Sequence, residues 1–248
     1  MMQNFTHIHP KFQHIAVLSD AERIELTNKL GNLIVKKEIK KGEILFFERQ
    51  KVTNIYILFK GTVFLYRDGL KDYRRIVFIL GEGKVINEVI FDGQTASITC
   101  EAFENSIIYS FDVEKLKNIM RDDFDLSFAF LTSTGHKVRK LYRQLKNATP
   151  IGLDKKLAAK LWKLSDGFGV DCYARNLSCT KKNENCIGWS HIIKSITITF
   201  LAEMLGSTRE SISREMKKLE KAGLIKWENK HLLVKRCDLL EYYKGDKN

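Results

Sequence analysis

No stretch of this chain approaches the ~20 consecutive apolar residues that cross a bilayer, so a membrane-spanning role is not expected. Proline is scarce, with two residues in 248, which suits a chain built mainly of regular elements. The cysteines number five: Cys100, Cys172, Cys179, Cys186 and Cys237. The opening MMQNFTHIHPKF lacks a positive segment followed by an apolar one, so it does not read as an export signal. An odd cysteine count without such a signal argues against a disulfide framework, and a cytoplasmic protein is expected. Catalytic constellations are missing too. There is no nucleophile beside a base, and Gly81-Glu82-Gly83 is too short for a dinucleotide fingerprint. A non-enzyme follows.

What is present is apolar and basic. The apolar fraction of 44% belongs to a globular chain. The net charge is +12, unevenly placed: 19 Lys and Arg oppose 12 Asp and Glu from Pro150 to the end, against 23 and 18 before it. The C-terminal part is thus about twice as basic per residue, a distribution that favours a polyanion such as nucleic acid.

Residues from about Ile15 to Leu30 predict an amphipathic helix capped by Ser19 or Asp20. From Leu33 to Phe111 come short runs rich in Val, Ile, Phe and Tyr, namely EILFF, NIYILF, TVFLYR, RIVFIL, ASITC and SIIYSF. Turn signals separate them at Gly42, Gly61, Gly69, Gly81 to Gly83 and Gly93. That spacing predicts an α+β chain opening with an antiparallel, cupin- or jelly-roll-like β-barrel. A helical stretch then runs from Val113 to about Asn147, broken near Arg121 to Asp125. Within it Phe124, Phe128, Leu131, Gly135, Val138, Tyr142 and Leu145 repeat at gaps of 4 and 3, a heptad seam that pairs a helix with its own copy. Packing on its own barrel is the plainer alternative. Thr149 to Gly152 predicts a hinge, and Asp154 a cap for the helix after it. The expected domains are therefore a β-barrel over 1–112, a dimerisation helix and hinge over 113–149, and a basic C-terminal domain over 150–248.

The segment TITFLAEMLGSTRESISREMKKLEKAGLI carries the main functional signal. A first helix over about Phe200 to Leu205 stops at Gly206, and Ser207 with Glu210 predicts a capping box opening a second helix to Ala222. Ile212, Met216 and Leu219 mark its buried face. Thr208, Arg209, Glu210, Ser213 and Arg214 project from its first turns, with Lys217 and Lys218 behind them as phosphate contacts. LIKWE-NK-HLLVK then predicts a hairpin wing. Such a pair of helices sends the second into the major groove of double-stranded DNA, N-terminus first. A solvated helical hairpin is the bland alternative.

STRESISREMKKLEKAGLI resembles the recognition helix of the CRP/FNR family of bacterial transcription regulators. KKGEILFFE, NIYILFKGTVFLY and LGEGKVINE resemble that family's sensor barrel, with Gly42, Gly61, Gly83 and Glu88 at its turn positions. The resemblance implies a homodimer, a small-molecule effector between barrel and long helix, and RNA polymerase as a partner. It also implies that Arg209, Glu210 and Arg214 read bases.

One departure is informative. By likeness to the cyclic-nucleotide cassette, Asn87 replaces a Gly, Glu88 is kept, and Gln94-Thr95 stand where Arg and Ser would grip the phosphate. Gln carries no charge, so this argues against cyclic AMP. Phe64, Tyr66, Arg139 and Tyr142 are further pocket candidates, although core and dimer contacts account for them equally well. Haem is a second cofactor reading, with His136 or Cys100 as axial ligand. Cys172, Cys179 and Cys186, with His191, form a weak metal or redox set at gaps wider than zinc sites use. A cyclic-nucleotide module that signals without DNA is the third reading, and the basic C-terminal part counts against it.

Overall fold

The computed structural model describes residues 34–69, 74–146, 151–165, 188–192, 196–229 and 231–245. The helix expected over Ile15 to Leu30, the hinge at 149–150, and Cys172, Cys179 and Cys186 lie outside them. Two compact units emerge, Met1–Gln144 and Leu145–Asn248.

The first unit holds β1 (Ile34–Ile39), β2 (Ile44–Phe46), β3 (Asn54–Lys60), β4 (Val63–Asp68), β5 (Arg74–Leu80), β6 (Val85–Ile86), β7 (Thr99–Ala102) and β8 (Ser106–Asp112); the six expected runs supply all but β1 and β6. Among the described residues they pair as two four-stranded antiparallel sheets, ordered β1-β8-β3-β6 and β2-β7-β4-β5. A double sheet of this kind is the jelly-roll-like arrangement that the strand spacing predicts.

Alternation along the strands sorts the side chains into two cores. On β3, Tyr56 and Leu58 join Leu65, Cys100 and Ile108 in one cluster that both sheets supply. Ile55 and Ile57 point the other way, to Tyr109, Phe111 and the helices that follow. Those helices are α1 (Val113–Asp122), capped by the Asp112 carboxylate on the Glu114 and Lys115 N–H groups, and α2 (Phe124–Lys146). The break between them falls at Asp123, inside the expected interval.

α2 shows two faces. Leu126 and Phe130 are 3% and 4% exposed, and Phe130 meets Phe91 edge-on at 5.4 Å. The heptad seam lies elsewhere on the helix: Phe124, Leu131, Tyr142 and Leu145 are 77%, 67%, 66% and 68% exposed.

The second unit holds α3 (Leu153–Leu164), β9 (Ser190–His191), α4 (Ile198–Leu205), α5 (Arg209–Lys221), β10 (Ile225–Glu228), β11 (His231–Val234) and α6 (Arg236–Lys244). Leu157, Leu161, Ile212, Leu219, Val234 and Leu239 are buried in it. Asp154 does not cap α3 as expected. Gly152 holds that position, and the Asp154 carboxylate in the first turn accepts the Tyr242 hydroxyl at 2.8 Å.

Gly61 makes the turn from β3 to β4 with φ of +98°, and a Cβ there would lie 2.3 Å from Ser106 Oγ. Both the left-handed backbone and the close approach require glycine. Gly61→Ala should cost about 2 kcal/mol or more in urea unfolding, combining backbone strain with displacement of Ser106.

Candidate DNA interface and sensor pocket

α4 and α5 are joined by a turn whose geometry follows from Gly206, which is left-handed at φ 62°. The Gly206 and Ser207 N–H groups both donate to the Ala202 carbonyl. This commits Ser207 to closing α4, and the cap of α5 passes to Thr208 instead. The Thr208 Oγ1 accepts the Ser211 N–H at 3.2 Å, so the expected Ser207–Glu210 box is replaced by a cap one residue later.

Ile212, Met216 and Leu219 face the core, as their spacing predicts. Thr208, Arg209, Glu210, Arg214, Lys217 and Lys218 are exposed, while Ser207 and Ser213 are half-buried. The Arg214 guanidinium donates to Ser211 Oγ at 3.4 Å, a helix neighbour that the sequence reading passed over. Lys218 pairs with Glu215 at 2.9 Å. The result is a polar row on the first two turns of a capped helix, beside the positive end of its dipole.

The wing is a two-residue hairpin. Ile225 to Glu228 pair with Val234 to His231, and Asn229, which follows β10, takes φ of 50°. The His191 and Ser190 backbone adds a third strand against β11. The Lys226 and Lys235 ammonium groups lie 4.8 and 5.2 Å from the Trp189 ring centroid, which fixes two cations near the wing.

In the first unit, a 3-10 turn (Glu88–Asp92) follows β6. Asn87 before it is left-handed at φ 70°, which explains how Asn, one of the few non-glycine residues at ease there, can replace Gly. Glu88 is buried and ion-paired with Lys137 of α2. Lys137 also donates to the Val85 carbonyl at 2.8 Å, and Ser133 Oγ donates to Glu88 at 3.3 Å. Burial pulls the Lys137 ammonium below the usual lysine range, while the Glu88 carboxylate works against that fall.

The remaining pocket candidates are not brought to this pair. Gln94 and Thr95 are exposed, and the Gln94 N–H caps a turn on Asp92. Phe64 and Tyr66 are buried, but register places them opposite Glu101 and Thr99 on β7, on the sheet face away from Leu65 and Cys100. There they stack on each other at 5.6 Å, and the Arg74 guanidinium lies 5.1 Å from the Tyr66 centroid. Arg139 and Tyr142 are exposed on α2. His136 is half-buried on the same helix, and burial pushes the Cys100 thiol up to about 12, so it is poorly suited to bind haem iron as thiolate.

The Cyclic nucleotide-binding domain family matches residues 36–123, and the Crp-like helix-turn-helix domain family matches residues 155–243. The chain belongs to the CRP/FNR family. Members of this family are transcription regulators, and this one carries their DNA-binding helix-turn-helix. The CRP-like cAMP-activated global transcriptional regulator of Mycobacterium tuberculosis is 20% identical over 201 residues, covering 81% of this chain and 84% of the relative. Among solved structures, a crp/fnr-family transcriptional regulator from Eubacterium rectale superposes with a TM-score of 0.68 at 17% identity, over 95% of this chain and 99% of that one. A CooA variant from Carboxydothermus hydrogenoformans gives 0.68 at 18% identity, over 91% and 97%. In this CRP/FNR regulator the Glu88–Lys137 pair joins residues 49 positions apart. Among the described residues no helix is long and apolar enough to cross a membrane.

Thr208→Ala should lower stability by about 1 kcal/mol, whereas Ser207→Ala, whose side chain is not the cap, should change it by a few tenths. Chemical unfolding of the two variants beside the wild type checks the shifted cap.

Proposed function

We propose that this protein is an effector-gated, homodimeric transcription regulator that reads a palindromic DNA site through α5, with an effector other than cyclic AMP. The observation that carries the reading is the exposed row of Arg209, Glu210 and Arg214 at the start of a helix whose opposite face is buried. Arg suits guanine O6 and N7, and Glu suits the cytosine amino group. Ser213 and Thr208 border the row, and Lys217, Lys218 and the cations near Trp189 suit phosphates.

The exposed α2 seam supports a homodimer, since apolar side chains at heptad positions gain by pairing with a copy. The M. tuberculosis relative is cAMP-activated, but cyclic AMP is not carried over to this chain. Gln94 is uncharged and exposed, and the Glu88 carboxylate already holds Lys137. RNA polymerase is the partner this reading implies on promoter DNA.

Binding-site selection from random duplexes tests the reading. The wild type should select half-sites about one helical turn apart, resembling TGTGA or TTGAC. Arg214→Ala should cost about 1–3 kcal/mol and relax preference at one base pair. An unchanged motif would remove α5 as the reader.

A further inference from the structure

Ser211 is half-buried on the first turn of α5, among the side chains assigned to bases and phosphates but not one of them. Its hydroxyl is the centre of a chain of hydrogen bonds along that helix. The Thr208 hydroxyl donates to Ser211 Oγ at 2.9 Å, while Thr208 Oγ1 accepts the Ser211 N–H at 3.2 Å. The Arg214 guanidinium donates to the same Ser211 Oγ at 3.4 Å. Residues 208, 211 and 214 follow one another at the spacing that stacks side chains on a helix surface. A long side chain on a helix runs back toward the N-terminus. Arg214 therefore reaches from the second turn of α5 to the first, the end that enters the groove.

A second destination for Arg214 is close by. Glu210 lies one helical turn earlier, the spacing at which a carboxylate and a guanidinium ordinarily pair. Such pairs do form on this helix, since Lys218 holds Glu215 at 2.9 Å. Among the described residues Glu210 and Arg214 form no ion pair, and the guanidinium is turned to Ser211. The choice bears on base reading. Paired with each other, the two charges would be neutralised, and neither would be free to accept from cytosine or donate to guanine. Held by Ser211, Arg214 gives up one N–H and keeps enough others for a bidentate contact to guanine O6 and N7. The hydroxyl also narrows the rotamer freedom that an exposed arginine loses on binding. Resting on the reading that α5 contacts bases, we propose that Ser211 is a positioning residue for specificity. It holds Arg214 at the groove end of α5 and off Glu210, so that two opposite charges on one helix face stay separate readers. Thr208 completes the device, because the cap that starts the helix also fixes the hydroxyl on which Arg214 rests.

Binding-site selection with the full-length protein tests this, followed by titration of single-base variants of the selected duplex. The variants are Ser211→Ala, Ser211→Thr, Glu210→Gln, Arg214→Ala and the double Ser211→Ala/Arg214→Ala. Alanine is the better helix former, so Ser211→Ala does not put the fold at risk, and the melting temperature of each variant checks it. Ser211→Ala should lower discrimination at the two base pairs that Arg214→Ala and Glu210→Gln relax. The expected drop is about two- to tenfold, the scale of one net hydrogen bond, with the Arg209 position left sharp. Ser211→Thr keeps the hydroxyl and should restore both positions. In the Arg214→Ala background, Ser211→Ala should add no further loss. A Ser211→Ala motif as sharp as that of the wild type at every position would overturn the proposal. So would a loss that is uniform over sequences and additive with Arg214→Ala, since that marks Ser211 as a phosphate contact in its own right. An Arg214→Ala motif identical to the wild type would sink the reading by α5, and the proposal with it, so the two failures appear in different variants.

Discussion

α2 carries two apolar stripes, and the packing of one of them on the sheets of the first unit is the constraint on which the rest depends. Leu126 and Phe130 anchor that face, with Phe91 edge-on against Phe130. Polar ties continue along the same side, from Ser133 and Lys137 to Glu88 and from Gln144 to the Val77 carbonyl. With this face committed, the heptad residues are left to solvent in the single chain. A helix with one buried stripe is ordinary for a globular protein, but a second apolar stripe needs a second partner.

The chemistry of the two faces differs in a way that suits a switch. Hydrophobic contacts at Leu126 and Phe130 are non-directional and supply most of the docking free energy. A buried ion pair adds little net stability, because desolvation offsets attraction, yet breaking it by removing one partner costs about 3–5 kcal/mol. The Glu88–Lys137 pair thus specifies where α2 sits more than how tightly it is held. In the second unit the division is similar. Ile212, Met216 and Leu219 hold α5 in place, and the Thr208 cap and Gly206 turn decide which residues begin the helix.

Much of this organisation was legible in the sequence. The six apolar runs became strands, the break between the helices fell where expected, and the wing formed from the two strands on either side of the expected turn. Each of these rests on local periodicity or on a turn residue. What was missed depends on neighbours distant in sequence or on prior commitments of the backbone. With the Ser207 N–H spent on Ala202, Glu210 has no donor there to close a box, and the side-chain cap is made by Thr208. Period-two alternation tells that Phe64 and Tyr66 share a face, but not that it is the face away from Cys100. Nothing in the local sequence marks Lys137, and only the fold brings it to Glu88.

The seam itself is the most direct point of test. Gly135 lies at its centre, and a Cβ there meets nothing within 4 Å. In a parallel pairing of two α2 helices, position 135 faces its own copy at a separation within reach of a disulfide. Gly135→Cys, oxidised mildly and run on a non-reducing gel, should give a covalent dimer that is absent from the wild type, still binds the selected DNA, and dissociates on reduction. Failure to cross-link at Gly135 in a protein that nevertheless sediments as a dimer would place the dimer contact elsewhere and contradict the account of α2.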